Sequence, residues 1–486
     1  MDKLKIIQIL KTFSKPEFRE FQRFAASPYF NGGRNYVTLL KVLKHYYPDF
    51  SSAKFSKENV YSKLFPGKEF KDTVLKTMFS GLNSLAEDFL AQKMFDTNKF
   101  EVLHAKLNAY HNRNLEKQFS DTIKAAYDKF HELEIVDPLD ALRNKYELSL
   151  IEATFYNGRR NLNIKNKEFD VTTSVATLFF MEYFVTYADE VAKSNAINQP
   201  MPEIIDVIHN NVNFDEIISC LIESNPGESY KISFYYNLYK ARRFRDKKFY
   251  FEAKTIFFNN LQVIPKPTKQ SFIFLLMNCL TYILKSSKDE KIEKERYVMI
   301  KFMFENSLHI FPGDEILPLG SFKNALTLSI SYNDLEFTNE LLENHINFLH
   351  KDLIRPYKEY GYSLLAFKRS DFKHSLELLQ KIDLSEYSLK LDIRILSSKL
   401  YFELGYWESA FTIIESFRKF LSENINISLS LKEQILSFIK FYSEILKIRT
   451  GNRKDELEYL KKNLEKEHIT EGYNWLMEKI TEIENQ

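Results

Sequence analysis

A short phrase returns along this chain at about one helical-hairpin spacing. Its clearest copy is Leu404-Gly405-Tyr406-Trp407-Glu408-Ser409-Ala410. A blurred copy begins 35 residues earlier, as Arg369-Ser370-Asp371-Phe372-Lys373-His374-Ser375. Another begins 37 residues before that, as Tyr332-Asn333-Asp334-Leu335-Glu336-Phe337-Thr338. A period in the mid-thirties holds two helices and a tight turn, the unit of a stacked helical repeat. Such units bury their apolar faces on one another, and most arrays of them are binding surfaces whose fold does not name a partner.

Two helices of a hairpin approach closely only if a small side chain stands at their crossing, and an aromatic three residues earlier fills the wedge at the turn. The crossing position falls on Ala253, Thr338, Ser375, Ala410 and Glu456. The residue three before is Tyr250, Leu335, Phe372, Trp407 and Arg453 in turn. Glu456 and Arg453 depart from the pattern, as a capping unit would. The 85 residues between Ala253 and Thr338 leave room for one or two more hairpins, with Pro265, Pro267, Pro312 and Pro318 at the junctions.

The phrase resembles a degenerate tetratricopeptide repeat, best over residues 320–425. That resemblance implies an α-α superhelical solenoid over residues 229–486, with the first helix of each hairpin lining a concave groove. It places Tyr235, Leu238, Arg242 and Arg245 in the groove, followed by Lys323 and Thr327. Tyr357, Tyr360, Leu364 and Phe367 come next, then Ile395 and Lys399. We take Tyr235, Leu238, Arg242, Arg245, Tyr357, Tyr360, Phe367 and Lys399 as the partner-binding candidates. The run Arg242-Arg243-Phe244-Arg245-Asp246-Lys247-Lys248 mixes cations with aromatics, a combination that holds acidic peptides or stacks with nucleobases. The Lys/Asn carboxylate clamp of chaperone-binding tetratricopeptide proteins is missing, which argues against a terminal carboxylate as ligand.

Composition agrees with long helices. Twelve glycines and 13 prolines in 486 residues disfavour turn-rich β architectures, and 15% aromatic content disfavours disorder. The net charge of +2 gives no global attraction to nucleic acid or membrane, although residues 1–100 carry 17 Lys/Arg against 10 Asp/Glu. Cys220 and Cys279 are too few for a disulfide framework and read as buried, inert thiols without basic neighbours. The N-terminus has no signal-peptide pattern. The longest apolar stretch, from Phe272 to Leu284, is far short of the ~20 residues a spanning helix needs. A cytoplasmic protein without membrane contact is expected.

Residues 1–98 read as an N-terminal helical domain. Phe18, Phe21 and Phe24 form a stripe on a helix capped by Ser14. Tyr36, Leu39, Leu40, Leu43 and Tyr47 mark the next, and Ser56 caps a third. Asp72 is expected to cap a long helix with Leu75, Met78, Phe79, Leu82, Leu85, Phe89 and Leu90 on one face. The words Ser27-Pro28-Tyr29-Phe30-Asn31, Tyr47-Pro48-Asp49-Phe50 and Leu64-Phe65-Pro66-Gly67 resemble a block of uncharacterised Bacteroidota proteins with helical-repeat bodies, which implies architecture and no activity. The helix pair from Ser56 to Leu90 also resembles the helical part of winged-helix regulators. That resemblance implies DNA contact through Lys68, Lys71, Lys76 and Lys93. A wing would have to follow, and residues 99–133 read as helix instead.

Residues 99–228 read as irregular helical hairpins, including a nearly all-apolar helix from Phe169 to Val191 expected to be sandwiched between neighbours. No phosphate-binding glycine loop and no His-Glu-x-x-His occurs; His345 and His350, five apart, point away from each other on a helix. The expected protein is all-α and non-enzymatic, without metal or cofactor. It would serve as a scaffold or adaptor that takes a protein or peptide segment in its groove. The alternative is a nucleic-acid-binding regulator using the N-terminal block or the Arg242–Lys248 patch.

Overall fold

The computed structural model describes residues 1, 3–128, 138–157, 171–197, 200–286, 290–310, 316–382, 387–424, 427, 429–451, 456–467 and 472–485. Among these, every regular element is a helix. The chain divides into two compact units, Met1–Glu134 with Thr154–Arg160 and Ile135–Ala153 with Asn161–Gln486.

The first unit runs through α1 (Lys5–Thr12), α2 (Lys15–Ala26), α3 (Pro28–Asn31), α4 (Val37–Lys44), α5 (Lys57–Leu64), α6 (Asp72–Thr97), α7 (Lys99–Asn112) and α8 (Glu116–Asp128). Ser14 and Glu17 close a reciprocal capping box at the start of α2, which satisfies two otherwise orphaned backbone donors. The core is built from rings: Phe13 meets Phe21 and Phe89 edge-on, at centroid distances of 5.6 and 5.5 Å. Ser56 caps α5 as expected. Asp72 does not cap α6; it is the first helical residue, where its carboxylate favours the positive helix end and pairs with Lys57 and Lys76, each at 2.8 Å. Leu90 lies off the buried stripe of α6 and is exposed. Phe155, from the end of α9 (Pro138–Asn157), stacks on Phe119 of α8 at 3.7 Å.

The second unit continues with α10 (Val171–Ile197), α11 (Glu203–Asn211), α12 (Phe214–Ser224), α13 (Ser229–Arg243), α14 (Lys247–Asn259), α15 (Lys266–Ser286), α16 (Glu290–Glu305) and α17 (Leu319–Ser331). Then come α18 (Leu335–Glu343), α19 (Lys351–Lys368), α20 (Phe372–Gln380), α21 (Tyr387–Glu403), α22 (Trp407–Glu423), α23 (Leu429–Gly451), α24 (Leu457–Lys466) and α25 (Tyr473–Glu484). The helix α10 is not sandwiched all round. Phe180, Met181 and Phe184 are buried, while Val175 and Phe179 face solvent. In α12, Phe214, Ile218 and Leu221 form the buried face and leave Cys220 exposed, contrary to expectation.

The recurring phrase is a turn with one backbone solution. Asn333, Ser370 and Gly405, each five residues before its crossing residue, adopt the left-handed conformation with φ of 57, 62 and 70°; Arg245, with φ of 51°, does so eight residues before Ala253. In three of these turns the next residue's N–H returns to the carbonyl five positions back: Asp334 to Ser329, Asp371 to Ala366 and Tyr406 to Tyr401, each at 2.9 Å. That bond satisfies a helix-end carbonyl and reverses the chain. Asp246, Asp334 and Asp371 then cap the following helix.

At the crossings Ala253, Thr338, Ser375 and Ala410 are fully buried. Ser363 and Ser375 exchange hydroxyl-to-carbonyl bonds across α19 and α20 at 2.9 and 2.8 Å, and the Thr338 hydroxyl donates to that of Ser329 at 2.8 Å. A Cβ on Gly361 would overlap the end of the Leu342 side chain, so that leucine would have to shift. Within each pair of α13/α14, α15/α16, α17/α18, α19/α20 and α21/α22 the two helices pack together; α14, α16, α20 and α22 each also pack on the first helix of the next pair. Between Ala253 and Thr338 the described residues hold one pair, α15/α16. Glu456 stands at no crossing but immediately before α24, and Arg453 lies outside the described residues.

Candidate functional site

A groove of about 1140 Å³ is walled by residues of α15, α16, α17, α19, α20, α21 and α25. Its charges are mixed: Glu290, Glu293, Glu403, Glu478 and Glu482 stand with Arg296, Lys368, Lys399 and Lys479, while Phe367, Phe372 and Trp475 supply apolar surface. The α25 side is fixed by one carboxylate. Glu403 accepts from Trp475 Nε1 at 2.7 Å and pairs with Lys479 Nζ at 2.8 Å. Lys479 also donates to Glu482 at 2.9 Å. Burial works against the Lys479 charge, yet its hydrogen bonds to Glu403 and Glu482 outweigh that and hold the ammonium above its ordinary value. Lys399 sits over the Trp475 ring at 6.0 Å from its centroid. Opposite, Arg296 Nε is buried with no hydrogen-bond partner among the described residues.

Two of the sequence candidates, Phe367 and Lys399, meet in this groove, and both are half-buried. Tyr360, also half-buried, packs edge-on against Tyr357 at 6.4 Å. Four others are corrections. Tyr235, Leu238 and Tyr357 are core residues; Tyr235 packs against Phe272 at 5.6 Å, and Tyr357 against Phe322 at 6.4 Å. These first helices are covered on several sides by their own hairpin and the flanking ones, so the groove register falls on interior positions. Arg245 is exposed, but it is the left-handed turn residue after α13 and lies on no helical face.

Arg242 is 5% exposed and forms the floor of a separate cleft of about 250 Å³ between α10, α13 and α15. Beside it, burial pushes the Cys279 thiol up although the Arg242 charge pulls the other way; the sequence reading gave this cysteine no basic neighbour. The segment after α6, where a wing would have to follow, is helix α7.

Sequence reasoning missed α25 altogether, because Trp475 and Lys479 find Glu403 more than 70 residues away and no local pattern announces the pair. It also missed the pairing of His309 with His345. Their rings meet with Nδ1 of His345 at 3.2 Å from Nε2 of His309, 36 residues apart and so one repeat length. That spacing was the available signal. No group of three or more His, Cys, Asp or Glu side chains arranged to hold a metal ion occurs among the described residues. No helix there is long and apolar enough to cross a membrane. Comparison with protein-family models, with curated proteins and with solved structures finds no match to this chain.

Proposed function

We propose that the chain is a non-enzymatic interaction scaffold. In this reading its hairpins form a degenerate tetratricopeptide-like solenoid, and its groove holds an extended or helical segment of a partner protein. The observation that carries it is the groove itself. Its volume of about 1140 Å³ exceeds the roughly 300–1,000 Å³ of small-molecule pockets, and its walls come from several successive hairpins, as suits a chain segment laid across them. Five carboxylates among its walls disfavour a phosphate backbone, whereas interleaved signs and apolar rings suit a peptide with both acidic and basic side chains.

A displayed peptide library panned against the full chain tests this. We expect a consensus whose affinity falls in Phe367→Asp and in Lys399→Glu. Absence of any consensus, or binding indifferent to both changes, would remove the proposal. Retention on DNA or RNA that weakens steeply with salt would replace it with the nucleic-acid reading.

A further inference from the structure

Arg242 is a buried cation with no carboxylate in direct contact among the described residues. Nη1 donates to the Leu238 carbonyl at 3.3 Å and Nη2 to the Leu275 carbonyl at 3.4 Å, both longer than an ordinary N–H···O bond. No carboxylate lies within 4.0 Å of its guanidinium among the described residues. A guanidinium carries five donors, and two long carbonyl contacts leave most of them unused. Taking such a charge out of water is unfavourable unless a counter-charge is supplied. Two carbonyl dipoles are a weak substitute.

The missing partner has room. The guanidinium borders the cleft of about 250 Å³, whose α10 wall presents Val185, Ala188 and Ala192 and whose α15 wall presents Asn278 and Tyr282. Asp189 stands on the same lining. The small volume excludes a bulky ligand, and the apolar α10 wall suits methylene groups. The Asp189 carboxylate repels any anion in the cleft, a dianion such as phosphate about twice as strongly as a monoanion. What fits is a single planar carboxylate, which matches the guanidinium fork with two parallel hydrogen bonds, carried on a short aliphatic stem.

We propose that this cleft is a carboxylate-binding site, with Arg242 as its anchoring cation and a stem of two or three methylene-sized groups lying against Ala188 and Ala192. The carboxylate belongs either to a free short-chain acid or to an acidic side chain of a peptide. The site shares no residue with the groove walled by α25, so it stands or fails independently of the scaffold reading.

Calorimetric titration of the full chain tests it, using propionate, N-acetylglutamate N-methylamide and inorganic phosphate as separate probes. We expect saturable binding of at least one carboxylate, weakened roughly tenfold or more in Arg242→Met, which keeps the side-chain bulk and removes the fork. Ala192→Leu, a change at an exposed position of α10, should weaken binding as well while leaving Arg242 in place. Tighter binding of the glutamate amide identifies a peptide source; tighter binding of propionate identifies a free acid. The proposal is overturned if neither carboxylate binds, if phosphate binds more tightly than both, or if folded Arg242→Met and Ala192→Leu bind like the parent.

Discussion

The hairpins between Leu319 and Glu423 and the last helix, α25, are fastened by contacts of opposite range. In the hairpins the decisive contacts are local and small: Ser363 with Ser375, Ser329 with Thr338, and a left-handed residue between the helices. Each joins residues about a dozen positions apart or fewer. In α25 they are distant and large, with Trp475 and Lys479 converging on Glu403 and the Trp475 ring lying 5.4 Å from Phe402 and 6.1 Å from Tyr442. The local kind recurs because every hairpin must solve the same close approach. The distant kind depends on which helices meet, as where α25 packs on α23.

The contrast is broken most forcefully at Trp475. Truncating a nearly buried tryptophan costs about 3–5 kcal/mol. Trp475→Ala also removes one of the donors that holds Glu403 beside Lys479. Urea unfolding followed by far-ultraviolet circular dichroism, with hydrogen exchange in α25 and α21, should show that loss together with early opening of α25. A loss below about 1 kcal/mol would mean that α25 adds little to the helices it packs on.

A pH series probes contacts that follow the repeat spacing yet carry no repeat chemistry. Burial holds His309 near a pKa of about 4 and also lowers His345, each beside the other and beside the Phe304 ring. Because the folded value is depressed, the unfolded chain takes up protons first. The stability these neutral rings contribute is complete above the ordinary histidine value of 6.5 and is lost as pH falls toward about 4. Unfolding free energies from urea curves at pH 7.5 and pH 5 should differ by about 2 kcal/mol, and His309→Phe should flatten that difference. Equal pH dependence in parent and variant would assign the acid sensitivity elsewhere.

What was legible follows the same division. The phrases at Asn333, Ser370 and Gly405 gave the turns, and the small residues at 253, 338, 375 and 410 gave the crossings, because both are fixed by backbone sterics within a few residues. The N-terminal caps at Ser14 and Ser56 were legible for that reason too. Which residues line the groove was not. A helical register tells which residues share a face, but it does not tell how many neighbours cover the helix, and α13 and α19 are covered widely enough to bury Tyr235, Leu238, Arg242 and Tyr357. Phe367 and Lys399 reached the groove because both lie near the ends of their helices, where that cover runs out.

The smallest effects test whether the turn is one device repeated. Asp371 accepts from the His374 N–H at 3.3 Å and so satisfies a free donor of α20; Asp371→Ala should cost about 1 kcal/mol. Ser370 holds φ of 62°, a conformation that costs a side-chain-bearing residue about 1 kcal/mol relative to glycine, while the equivalent turn after α21 already uses Gly405. Ser370→Gly should therefore stabilise the α19/α20 pair by a few tenths to about 1 kcal/mol, offset in part by the greater freedom of the unfolded chain. Gly405→Ser should lose a similar amount in the α21/α22 pair. Glycine favoured over serine at both positions, 35 residues apart, would establish that one turn geometry recurs in both hairpins, since without the left-handed backbone glycine is the less stable residue and both signs would reverse.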